Sequence, residues 1–166
     1  MKMNYRRESG VAMIEVLIAI IVVSFGLLGV AGLQLAGMKN SQTANLRSIA
    51  TAQAYDMADR MRANMSGVAA GNYDAITSVI PSLPSCANPF SAGAGCSPSD
   101  IAAYDKNVWL TANGRLLPSG SGTVTKDATN SSAFNISVLW TEKCLTNETL
   151  CSSGTITRTF STQISP

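Results

Sequence analysis

The pattern of apolar and polar positions divides the chain into an uncharged segment, an amphipathic segment and a mixed remainder. Val11–Ile14 is apolar, Glu15 follows, and Val16 to Leu33 contains no charged residue; the next charge is Lys39. A run of about 20 apolar residues crosses a bilayer once as a helix. No proline occurs between Val11 and Met65, so the pattern predicts one helix there, roughly 80 Å long at 1.5 Å per residue. Beyond Lys39 the apolar positions Leu46, Ile49, Ala50, Met57, Met61 and Met65 recur at helical spacing. Arg47, Asp56, Asp59, Arg60 and Arg62 fill other positions, so one face is expected to pack on a C-terminal domain. Asp56 and Arg60, four apart, are expected to form a weak surface pair.

Ser66-Gly67 and Ala69-Ala70-Gly71-Asn72 are expected to end the helix, and residues 72–97 read mostly as loop. Ser97-Pro98-Ser99-Asp100 then places a cap, a first-turn proline and an acid three after the cap, opening a second helix that runs to about Asn113-Gly114. Ile101, Tyr104, Val108 and Trp109 are expected to form its buried side. Leu116 to Gly122 reads as a turn leading to a strand at Thr123–Lys126. Phe134, Ile136, Val138 and Trp140 alternate as one face of a strand, and Ile156, Phe160 and Ile164, with Arg158, share one parity of a last strand. The predicted class is α+β: a long N-terminal helix, transmembrane in its first half and amphipathic in its second, with a small C-terminal antiparallel sheet packed on it as a roll.

Charge sets the topology. Lys2, Arg6 and Arg7 precede the apolar run, and basic residues stay on the cytoplasmic side. The part after about Lys39 is then expected outside the inner membrane, in the periplasm, and no second apolar run predicts a further span. Lys2, Arg6, Arg7 and Glu8 together account for the formal net charge of +2, so the basic balance says little about nucleic-acid partners. Lys106, Arg115, Lys126, Lys143 and Arg158 are scattered, which makes a DNA-binding role a minor reading. With no histidine, no G-x-S-x-G and no cluster of metal ligands, the chain is not expected to be an enzyme. No cofactor, metal or small-molecule substrate is expected.

Four cysteines, Cys86, Cys96, Cys144 and Cys151, lie in the part expected outside the membrane. An oxidising compartment would join them as two disulfides, with three possible connectivities. The local pairs Cys86–Cys96 and Cys144–Cys151 are favoured, because each closes a short stretch of loop-forming residues. A zinc site is disfavoured: neither spacing resembles C-x₂-C, and histidine is absent.

The segment Ser9-Gly10-Val11-Ala12-Met13-Ile14-Glu15-Val16-Leu17-Ile18 resembles the class III signal of type IV prepilins. The resemblance implies a leader over residues 1–10 that prepilin peptidase removes after Gly10, methylation of the new N-terminal Val11, and an assembly role for Glu15, paired with the freed Val11 amine of its own chain or a neighbour. Val11 stands where phenylalanine is common in that family. The implied organisation is leader 1–10, transmembrane assembly helix 11–37 and periplasmic globular domain 38–166. Gly26, Gly29, Gly32 and Gly37 leave two readings open: close packing between membrane helices, or local melting on leaving the bilayer for a filament.

Three further segments resemble minor pilins of the PilV type: Ala54 to Asn64, Trp109 followed by Leu117 to Val124, and Val138-Leu139-Trp140. That resemblance implies a type IV pilus subunit that primes assembly and sits at the pilus tip. Its partners would be other minor pilins, the major pilin, a tip adhesin and the inner-membrane assembly platform. Attachment and twitching motility would depend on it. A minor pseudopilin of a type II secretion system shares the first signature and is the alternative.

Overall fold

The computed structural model describes residues 11–87, 95–144, 151 and 154–166; of Val11 and Ala12 it describes the backbone. Gly10 and the leader lie outside the described residues. Helix α1 runs Val11–Ala63, α2 Met65–Ala69 and α3 Pro98–Leu116, with a 3-10 turn at Ser85–Ala87. The strands are β1 Ala75–Ile76, β2 Ser121–Lys126, β3 Phe134–Lys143 and β4 Thr155–Ile164. They form one antiparallel sheet in the order β1-β2-β3-β4, so the chain is α+β as its pattern predicts.

The chain divides into two compact units between Thr43 and Ala44. The first contains the apolar part of α1. Its most apolar 18-residue window has a mean hydropathy of 2.8 and no buried residue. Such a helix is hydrophobic all round, the composition of a membrane span. A Cβ added at Gly26, Gly29, Gly32 or Gly37 would meet nothing within 4 Å.

The second unit holds the core. The last turns of α1 bury Ala50, Ala54, Met57, Ala58 and Met61 completely. These residues join Trp109 and Leu110 of α3 and Val124, Phe134, Ile136, Val138, Trp140 and Ile164 of the sheet in one apolar cluster. Each large side chain so buried contributes about 1.5–3 kcal/mol. The strict alternation of β3, with Phe134, Ile136, Val138 and Trp140 all buried, is the period-two pattern made physical. Pairing runs from Phe134↔Ile164 to Lys143↔Thr155 without interruption.

Several local expectations are corrected. The long helix stops at Ala63 rather than Met65, because Asn64 takes a non-helical conformation and its side chain accepts from Gly67 N at 3.1 Å, capping α2 instead. Met65 therefore leaves the apolar face of α1 and is half exposed. Gly71 ends α2 at φ +78°, a conformation that costs a residue with a Cβ, and Asn72 N closes back on Gly67 O. The stretch 72–97 is not all loop: Ala75 and Ile76 pair with Thr125 and Val124 as β1. Two residues carry too little pattern to read in advance.

Helix α3 begins where its capping box predicts. Ser97 N donates to Asp100 Oδ2 at 3.1 Å, and Asp100 N donates to Ser97 Oγ at 3.2 Å. Its buried side is rotated from the expected one. Ala102, Asp105, Trp109, Leu110 and Asn113 are buried, while Ile101 and Tyr104 are exposed. The reason is electrostatic as well as steric: the inward position Asp105 is held by charge and hydrogen bonds described below.

Candidate assembly site

The residues singled out for assembly lie at the start of α1. Gly10 is outside the described residues. Val11 is the first residue of the helix and Glu15 is exposed on it four positions later. Residues i and i+4 share one helix face, about 6 Å apart along the axis. Around Glu15 the side chains are apolar and open: Met13, Ile14, Val16, Leu17 and Ile18 are all more than half exposed. A carboxylate in such surroundings is costly in lipid, where insertion scales assign a charged residue at mid-bilayer about 2.5–3.5 kcal/mol. No lysine or arginine lies between Val11 and Met38 to offset it. Ser24 in this stretch turns its hydroxyl back to the helix itself, donating from Oγ to Ile20 O at 2.6 Å.

In the second unit a partly buried polar cluster fastens α1 to α3. Arg60 donates to Asp56 at 2.8 Å and to Asp105 at 3.2 Å. The Asp56–Arg60 pair is thus one arm of a three-residue ion cluster rather than a lone surface contact, because Asp105 enters from 45 residues away. Burial alone would lower the Arg60 pKa, but the two carboxylates raise it. Tyr73 OH donates to the second oxygen of Asp105 at 2.6 Å, and Asn64 Nδ2 donates to Tyr73 OH at 3.1 Å and to Pro98 O at 2.8 Å. Burial, followed by the bond to Asp105, pushes the Tyr73 phenol well above its usual range. Asp56 and Arg60 of α1 and Asn64, the residue just beyond its end, are spaced four apart, all within the segment Ala54–Asn64.

Trp109 makes the second join. Its indole Nε1 donates to Gln53 O at 2.8 Å, and its ring lies on Gly122 of β2. A Cβ at Gly122 would come within 2.7 Å of Trp109 Cζ3 and 2.9 Å of Asn113 Nδ2, so only glycine fits there. This gives the segment Leu117 to Val124 a physical role: it lets a strand run directly against a tryptophan.

The cysteines sit at two loop closures. Cys86 bonds to Cys96, with Cα atoms 5.4 Å apart, immediately before the Ser97 cap of α3. Cys144 bonds to Cys151, with Cα atoms 6.0 Å apart, between β3 and β4. The loop residues 88–94 and 145–150 lie outside the described residues.

Asp105, Tyr73 and their tie to Asn64 carry no motif in the sequence. The one sign of them is an aspartate at helical spacing from Ile101, Val108 and Trp109, since a carboxylate turned inward demands partners.

No curated protein and no solved structure matches the chain. A family model does: residues 32–107 match the model of Tt1218-like type IV pilins. The match covers just under half of the chain, including the helical segment 54–64 and the first half of α3, and supports a structural role in the type IV pilin superfamily.

Proposed function

We propose that the chain is a minor pilin of the PilV type, a structural subunit that helps prime assembly of a type IV pilus and forms part of its tip complex. The observation that carries the reading is the type IV pilin match over 32–107, which contains the Ala54–Asn64 helix segment of the PilV resemblance. An apolar N-terminal helix with a single acid supports it. In this reading the bilayer stores the subunit. Prepilin peptidase cuts after Gly10, and the new Val11 amine is methylated. Glu15 then meets the Val11 amine of a neighbour as subunits stack. An unpaired carboxylate in a low-dielectric helix bundle is heavily penalised, so the pair sets axial register. The domain from residue 38 onward lies in the periplasm before assembly and at the cell surface after it. It contacts other minor pilins, the major pilin and a tip adhesin.

Replacing Glu15 with alanine is expected to leave cleavage intact and lower recovery of the subunit in sheared pili at least tenfold. Gly10→Ala is expected to leave the precursor uncut. Normal incorporation of Glu15→Ala would refute the register role. Deleting the gene tests the filament type: lost pili and twitching with normal exoprotein secretion fits the minor pilin. Intact pili with blocked secretion would instead assign the chain to a type II secretion pseudopilus.

A further inference from the structure

The sheet has two ends of different character. At one end β1 is two residues long, a length that offers little to another chain. At the other end β4 runs ten residues, Thr155–Ile164, and among the described residues no strand lies beyond it.

Two backbone bonds fix the direction of its hydrogen-bonding groups. Asp127 N donates to Ala133 O at the β2–β3 turn, and Cys144 N donates to Gly154 O where β3 meets β4. Directly bonded pairs alternate with non-bonded pairs in an antiparallel ladder. With the observed register, Ile156, Phe160, Thr162 and Ile164 turn their N–H and C=O groups toward β3. Thr157, Thr159 and Ser161 turn theirs away from it. The Ser137 and Ser161 hydroxyls, 2.8 Å apart, agree: side chains approach most closely at non-bonded pairs. Among the described residues, no backbone group of Thr157, Thr159 or Ser161 finds a partner on that open side.

Natural edges are usually guarded by charges, proline, bulges or shortness. Here the register is unbroken over the full length of β4, and β4 contains no proline. Its single charge, Arg158, sits opposite Trp140 with its Nε 3.5 Å from Glu142. The opposite parity is Thr157, Thr159, Ser161 and Gln163, neutral residues rich in strand-forming threonine. Water hydrates this row in the lone chain, since Thr157, Thr159 and Ser161 are exposed. The macromolecular occupant whose own groups match outward N–H and C=O groups at strand spacing is an extended polypeptide.

We propose that β4 is a docking edge, to which an extended, uncharged segment of a different filament subunit adds as a fifth strand. The identity of that partner rests on the pilin reading; the edge itself does not. Thr159→Pro removes one outward N–H and leaves the bonds to β3 in place, a position where proline is tolerated. Thr159→Val keeps the N–H. In cells making the full chain, the proline variant is expected in sheared pili at least tenfold below wild type, with the valine variant at the wild-type level. Both are expected to keep the wild-type Tm in detergent. Equal recovery of the two variants overturns strand addition. Residue-resolved amide exchange gives a second readout on the wild-type chain, independent of how the proline variant folds. The Thr157, Thr159 and Ser161 amides should exchange at least tenfold more slowly in the pilus complex than in the lone chain, and equal rates overturn the proposal. Protection that rises with concentration of the lone chain makes the occupant a second copy and overturns a different subunit. Absence of wild-type chain from pili overturns the pilin reading, and with it this partner.

Discussion

Helix α1 is one continuous element that meets two different surroundings. From Met13 to Leu35 its large apolar side chains are more than half exposed, and none of the most apolar window is buried. From Ala50 to Met61 the same helix buries three alanines and two methionines completely. The first stretch is large-chained and uniform around the axis. The second is small-chained on one face, with charges elsewhere. Apolar content therefore does not distinguish a helix that a domain covers from one that lipid or other subunits must cover; distribution around the axis does.

The largest effect is expected at Trp109. Trp109→Ala removes a fully buried ring and the bond to Gln53 O, and is expected to cost the domain about 3–5 kcal/mol. Urea unfolding of the detergent-solubilised chain should show that loss, while the N-terminal segment still partitions with membranes. Leu28→Arg is the converse. At 68% exposure Leu28 supports no fold, so domain stability should stay unchanged. Membrane insertion should weaken by about 2.5–3.5 kcal/mol, read as a shift from the membrane to the soluble fraction.

The polar join sharpens the contrast through pH. Folding raises the Tyr73 pKa, so its contribution is complete below the unfolded phenol value of about 10 and declines as pH rises from there toward the folded value. Stability measured at increasing alkaline pH should fall, and Tyr73→Phe should flatten that part of the slope. At neutral pH the same substitution should cost about 1–3 kcal/mol, since it strips one donor from buried Asp105. Asp59→Ala gives the smallest effect. Its pair with Arg62 is exposed on both sides, and loss of under about 0.5 kcal/mol is expected in the same assay.

Sequence pattern carried the parts of this fold that local chemistry decides. The alternation of β3 and β4, the Ser97–Asp100 capping box and the apolar face around Met57 and Met61 each announce themselves within ten residues. The rest depends on partners distant in the chain. Ile101 and Tyr104 are better hydrophobes than Ala102 and Asp105, yet α3 turns the latter pair inward. The helix is oriented by Arg60, Tyr73 and Trp109 rather than by its own most apolar stripe. Strand β1 exists only because β2 is there to pair with it. The N-terminal expectations rest on a different kind of signal. Glu15 stands out because nothing near it in sequence explains a charge, and Gly10 because it directly precedes the apolar run.

The two disulfides have a mechanical consequence. They span 10 and 7 positions of the chain, and neither links a helix to the sheet. A domain pulled from its ends would keep both loops closed while everything else extended. At about 3.5 Å per residue, the cross-links shorten the fully drawn-out chain by about 50 Å. Under tension they limit how far the subunit stretches, while resistance to its first rupture is left to the helix–sheet core.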